Sequence, residues 1–168
     1  MTRMQLVVIG NGMAGMRTVE ELLQLAPDKY DITVIGREPH GNYNRIMLSP
    51  VLAGEKAFED IVIHPLSWYA ERGITLLAGH TVTGVDRVQR CVSTDQGVVV
   101  RYDRLLLATG SVPFMIPMPG HDHPDVISFR DIADVRRMLA PSATPPRVVV
   151  LGGGLLGLEA ANGLVKQG

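Results

Sequence analysis

The stretch that most limits what this chain can fold into is "LVVIGNGMAGMRTVEELLQLA", residues 6–26. An aliphatic run, Gln5 to Ile9, stops at Gly10-Asn11-Gly12, and apolar residues Met16, Val19, Leu22, Leu23 and Ala26 then recur at helical spacing. Pro27-Asp28 ends that helix, and "DITVIG" (31–36) returns as a buried strand. Strand, glycine turn, helix and strand make a βαβ unit, whose parallel strands require a right-handed crossover. The same device returns in "RVVVLGGGLLGLEAANGLVKQG", where Gly152, Gly154 and Gly157 repeat the spacing of Gly10, Gly12 and Gly15.

A helix N-terminus exposes unpaired N–H groups and carries partial positive charge, so it attracts phosphate. A diphosphate reaches those groups only where side chains are missing. Gly10 then permits the tight turn, Gly12 the close approach, and Gly15 the packing of helix on strand. An acidic residue about 20 positions onward accepts hydrogen bonds from a ribose. Glu38, just past the second strand, stands at that place. The first cluster, with Asn11, Met13 and Ala14 between and beside its glycines, is therefore expected to bind a dinucleotide. The second, with Leu155 and Leu156, is expected to do the same. Glu159 lies two residues inside the expected helix and is open to two readings, a first-turn partner of the helix dipole or a residue facing a bound nicotinamide.

Between the two clusters, "REPHGNYNRIMLSP" reads as a loop, "HPLSWYAERG" as a short helix and "ITLLAG" as a strand. The alternating residues of "VTGVDRVQRCVSTDQGVVVRYDRLLLATG" read as an antiparallel meander that turns at Asp95-Gln96-Gly97, followed by a buried strand at Leu105–Leu107. Residues 112–124 read as a connector, "FRDIADVRRMLA" as a helix, and "PSATPP" as a linker. The expected fold is α/β: a Rossmann-like domain with a parallel sheet and a small meander, then the first βα unit of a second such domain. The expected boundaries are 1–118, 119–145 (helix and linker) and 146–168.

A formal net charge of -1 with no basic cluster gives nucleic acid or an acidic membrane no electrostatic footing. No stretch approaches the roughly 20 apolar residues of a membrane span. The single cysteine, Cys91, fits a reducing compartment, so a soluble, cytoplasmic protein is expected. "HDH" at 121–123 stands in a proline-glycine loop without further ligands, so no metal is expected.

Two glycine clusters joined by "LLLATG" resemble the two-dinucleotide flavoprotein reductases. That resemblance implies FAD on the first cluster, NAD(P)H on the second, and Ala108-Thr109-Gly110 running beside FAD. "ITVIGREPHGNYNRIMLSPVLAGE", "GSVPFMIPMPG" and "VVVLGGGLLGLEAANGL" resemble, more narrowly, the N-terminal flavin region of the large subunits of NAD(P)H-dependent nitrite reductases. By this resemblance Arg45 contacts the FAD diphosphate and the backbone of Val82 meets the adenine. Related ferredoxin and rubredoxin reductases carry a similar loop with a lysine near the flavin, and Pro50 occupies that position here. The implied activity is hydride transfer from NAD(P)H to flavin, with electrons passed to iron–sulfur and sirohaem centres elsewhere in the parent chain. The cysteine pair of the disulfide reductases is absent from the 168 residues. The resemblance also implies that the flavin domain is completed by later sequence, so the chain is expected to be a fragment that binds FAD weakly. A stand-alone ferredoxin or rubredoxin reductase, or a nucleotide-binding module without electron transfer, are the alternatives.

Overall fold

The computed structural model describes residues 3–141 and 147–168. The expected linker 141–146 and the boundary at 145/146 therefore lie almost wholly outside the described residues. Two compact units emerge, one formed by the chain up to Tyr43 together with Val62–Gly110, the other by Asn44–Ile61 with Ser111–Gly168.

In the first unit, β1 (Met4–Ile9) leads into α1 (Met13–Leu25) and β2 (Tyr30–Gly36), as the periodicity predicts. β3 (Asn42–Tyr43) later pairs antiparallel with β4 (Val62–His64). After β4 come α3 (Leu66–Glu71), β5 (Thr75–Ala78), the strands β6 (Val82–Asp86), β7 (Cys91–Thr94) and β8 (Val99–Arg101), and β9 (Arg104–Leu107). The main sheet is parallel, in the order β5-β2-β1-β9, and β6-β7-β8 form the antiparallel meander. Gly97, at φ +76°, turns the meander where Asp95-Gln96-Gly97 predicts.

Alternate residues of β1 serve opposite faces, so both faces are apolar, as a covered parallel sheet requires. Leu6 and Val8 pack with Met16 and Val19 of α1 and with Ile32, Val34, Tyr69 and Ile74. Val7 and Ile9 pack with Ile35 and Val92, beneath the meander. Each such aliphatic side chain taken from water stabilises the fold by about 1.5–3 kcal/mol. β9 is less enclosed than its sequence suggests: Leu105 and Leu106 are half-buried and Leu107 is exposed, because β9 is an edge of the main sheet.

The second unit corrects two expectations. The presumed loop 37–50 supplies not only β3 but a 3-10 turn, Arg45–Met47, and then α2 (Leu48–Leu52). Asn44 caps the turn by accepting from Ile46 N–H at 3.1 Å, and Leu48, Val51 and Leu52 are buried. The presumed strand at 147–151 forms no regular element and joins no sheet among the described residues. An aliphatic run cannot make a strand without a neighbour to take its N–H and C=O groups.

α4 (Ile132–Met138) starts on a reciprocal cap: Asp131 accepts from Asp134 N–H at 3.0 Å, and the Asp134 carboxylate accepts from Asp131 N–H at 3.3 Å. Asp131→Ala is expected to lower the stability of this unit by about 1 kcal/mol. A lower urea midpoint with an unchanged slope checks it. α5 (Leu155–Lys166) packs Gly163 against the Leu52 side chain, and Gln167 donates to Leu52 O at 2.8 Å.

Candidate dinucleotide sites

Gly10, between β1 and α1, has φ +115°, a backbone region that side chains resist. Its N–H donates to Ile35 O at 2.8 Å, and a Cβ on it would lie 2.1 Å from Ala108 O. Gly15, one turn into α1, would place a Cβ 2.8 Å from Gly10 O and 3.0 Å from the Ala108 Cβ. Turn, helix and the end of β9 thus close on one another with no room for a methyl group. Ala108 lies against the glycine turn, with Thr109 and Gly110 exposed beyond it.

Gly12 differs from its neighbours. It is the N-cap of α1 at φ -87° and ψ 175°, and a Cβ there would meet nothing within 4 Å. No side chain caps α1, and its first turn carries no acidic residue. Met13 and Ala14 are exposed beside it. The first-turn N–H groups of α1 therefore border open space with the helix's positive end behind them, the arrangement that holds an anion.

Three parallel strands end beside this turn. Glu38 lies just past the end of β2, and its carboxylate accepts from the Tyr43 hydroxyl at 2.7 Å. Gly79 N–H donates to Glu38 O at 3.2 Å and His80 N–H to Gly36 O at 3.0 Å, which sets the entry to β6 beside Glu38. Val82 follows there, its side chain packed on the cluster of Val7, Ile9, Ile35 and Val92. Gly10, Glu38, Val82 and Ala108 are thereby gathered around the carboxyl end of one sheet, where open α/β sheets bind ligands.

Sequence reasoning missed the polar side chains behind the turn. Asn11 Nδ2 donates to His40 O at 3.1 Å, and Asn11 Oδ1 accepts from the Tyr69 hydroxyl at 2.6 Å. The Tyr69 oxygen in turn accepts from Asn42 N–H at 3.1 Å, and Asn42 Nδ2 donates to Asn11 O at 3.0 Å. Burial pushes the Tyr69 phenol up from its ordinary value, with the hydrogen bonds to Asn42 and Asn11 opposing. Asn42 lies far in sequence from His64 and Tyr69, and no local pattern links the three.

In the second unit, Gly152 has φ +121°, and Gly154 caps α5 at φ -77° and ψ 174°, close to the values at Gly10 and Gly12. A Cβ on Gly157 would lie 2.2 Å from Gly152 O. The second cluster therefore folds the same turn, but its surroundings are bare. Val149, Leu151, Leu155 and Leu156 are exposed, and among the described residues none approaches within 4 Å of a Cβ on Gly152 or Gly154.

Glu159 is the fifth residue of α5, not the second, because the helix begins at Leu155. It lies outside the first turn, which corrects the dipole-partner reading. Its carboxylate instead accepts from the Ser49 hydroxyl at 2.5 Å, beside a cavity of about 130 Å³ lined by Pro50, Ala53, Glu55 and Asn162. Arg45 opens the 3-10 turn of this unit and donates to Arg130 O at 2.7 Å. Arg130, absent from the sequence-derived set, donates to the Ser111 hydroxyl at 2.8 Å, and its Nε is buried without a partner among the described residues.

The chain is 51% identical to the nitrite reductase (NAD(P)H) of Bacillus subtilis (strain 168), over 100% of this chain and 21% of that protein. It is 45% identical to the assimilatory nitrate reductase electron transfer subunit of the same strain, over 100% of this chain and 22% of that one. It therefore spans about a fifth of the length of these curated relatives. Among solved structures, NADH:rubredoxin oxidoreductase from Clostridium acetobutylicum superposes with a TM-score of 0.86 at 25% identity, covering 99% of this chain and 43% of that one. A family model matches residues 4–168, and the chain belongs to the pyridine nucleotide-disulphide oxidoreductases.

Proposed function

We propose that the chain is the flavin-binding front end of an NAD(P)H-dependent electron-transfer enzyme of the nitrite reductase kind. The observation that carries this reading is the room in front of Gly12, framed by the tight packing of Gly10 and Gly15 on Ala108. In it, Gly10, Asn11, Gly12, Met13, Ala14 and Gly15 would cradle the FAD diphosphate at the α1 N-terminus. Glu38 receives the ribose, Val82 borders the adenine, and Ala108, Thr109 and Gly110 run beside the flavin. By the resemblance, Arg45 is the diphosphate contact.

Gly152, Gly154, Leu155, Leu156, Gly157 and Glu159 begin the NAD(P)H site. The domain division is 1–118, 119–145 and 146–168. A bound FAD would supply hydride acceptance from NAD(P)H and onward electron transfer. Iron–sulfur and sirohaem centres elsewhere in the parent protein are the acceptors, and the setting is cytoplasmic.

Titration of FAD into the purified chain, followed by quenching of flavin fluorescence, is expected to saturate. ADP, which carries the diphosphate, is expected to compete, and riboflavin, which lacks it, to show no saturable quenching when titrated alone in a separate sample. Absence of saturable quenching would overturn the reading.

A further inference from the structure

The buried network behind the first glycine turn has no role in the reading above. Asn11 is fixed at three polar atoms, by His40, Tyr69 and Asn42. The Tyr69 hydroxyl is the central atom, donating to Asn11 and accepting from the Asn42 backbone. Tyr69 and Asn42 are each only 1% exposed.

The chain of contacts then runs on. Asn42 Oδ1 lies 3.3 Å from His64 Nδ1, and His64 Nε2 lies 2.8 Å from Glu20 on α1. Trp68 covers the His64 ring at a centroid distance of 4.0 Å. The path starts at the turn just ahead of α1 and comes back to α1 at Glu20. Through it the β3–β4 ribbon grips α1 both at its N-terminal turn and further along the helix.

A buried polar network is costly unless every member is satisfied, and satisfied ones hold a single arrangement. This one is spent on Asn11, the residue between the two glycines whose conformations present the first-turn N–H groups. Glycines leave a turn with many accessible shapes; the second cluster reaches the same angles with bare surroundings, so what the contacts to Asn11 add is a narrower range of motion in the first. We infer that Tyr69 is a positioning residue for cofactor binding: its hydroxyl, acting through Asn11 with Asn42 beside it, holds the Gly10–Gly15 turn in the shape that receives a diphosphate. This inference rests on the flavin reading for the identity of the ligand, but the holding of the turn is a property of the ligand-free chain.

The test uses Tyr69→Phe, which keeps the ring and removes only the oxygen. Asn42→Ala, which frees Asn11 O, is the second variant in case the first fails to fold. Val92→Ala, a cavity beneath the meander, is the control for plain destabilisation. Amide relaxation in the ligand-free chain is expected to show Asn11 and Gly12 rigid in the parent, with order parameters of about 0.85, and loosened in Tyr69→Phe. The FAD Kd is expected to rise about tenfold or more in Tyr69→Phe and to stay within about twofold in Val92→Ala, even where both lose similar stability.

Unchanged order parameters in Tyr69→Phe would overturn the inference. So would an FAD Kd that tracks thermal stability alike in Tyr69→Phe and Val92→Ala. Loosened amides in Tyr69→Phe together with no FAD binding by the parent chain would support the brace and overturn the flavin reading instead.

Discussion

Gly12→Ala is expected to fold as the parent chain does and to lose its cofactor. At φ -87° and ψ 175° the backbone of Gly12 suits any residue, and a Cβ there would touch nothing within 4 Å. Alanine is a poorer N-cap than glycine, but it also narrows the unfolded ensemble, so the two effects leave stability within about 1 kcal/mol. The ligand meets a different situation. A phosphate oxygen bonded to an amide sits about 2.9 Å from the nitrogen, and a methyl group on the adjoining Cα occupies its approach. A rise in FAD Kd of about 100-fold is expected, which corresponds to roughly 2.8 kcal/mol. Flavin fluorescence titration beside a urea melt checks both halves. Equal affinity in parent and variant would show that the diphosphate lies elsewhere.

Gly10→Ala is expected to fail in the opposite manner, through the fold. The residue combines φ +115° with a Cβ position 2.1 Å from the Ala108 carbonyl oxygen. Backbone strain costs about 1–3 kcal/mol, and relief of the overlap must push β9 away from β1 at a cost of about 1–3 kcal/mol more. A domain of ordinary stability keeps little margin after such a loss. The expected result is a urea midpoint shifted far down, or a chain recovered only as aggregate. The same change at Gly152, with φ +121° and nothing within 4 Å, keeps the strain without the overlap, so its loss is limited to the first of these amounts.

The contrast explains what the sequence could and could not disclose. Residues 5–36 were legible because aliphatic runs and glycines act locally: β1, the turn, α1 and β2 all lie where periodicity places them. The meander was legible for the same reason, through alternation and a turn at Gly97. Residues 37–50 were not, since β3 is two residues long and its order comes from Tyr69 and from pairing with β4. The run at 147–151 failed from the other side: its residues match those of β1 in kind, but a strand is a relation between segments. Arg130 and Tyr69 escaped notice because an arginine beside a loop and a tyrosine in a helix are ordinary until their partners are seen.

The duplicated turn also supplies an internal standard. Backbone angles at Gly10 and Gly152, 115° and 121°, and at their caps, agree to within about 10°, yet Ala108 backs only one of them. Any preference of ADP for one loop over the other would therefore weigh the contribution of a protein wall against that of main-chain dipoles. Both halves of that comparison come within a single polypeptide, under one set of solution conditions.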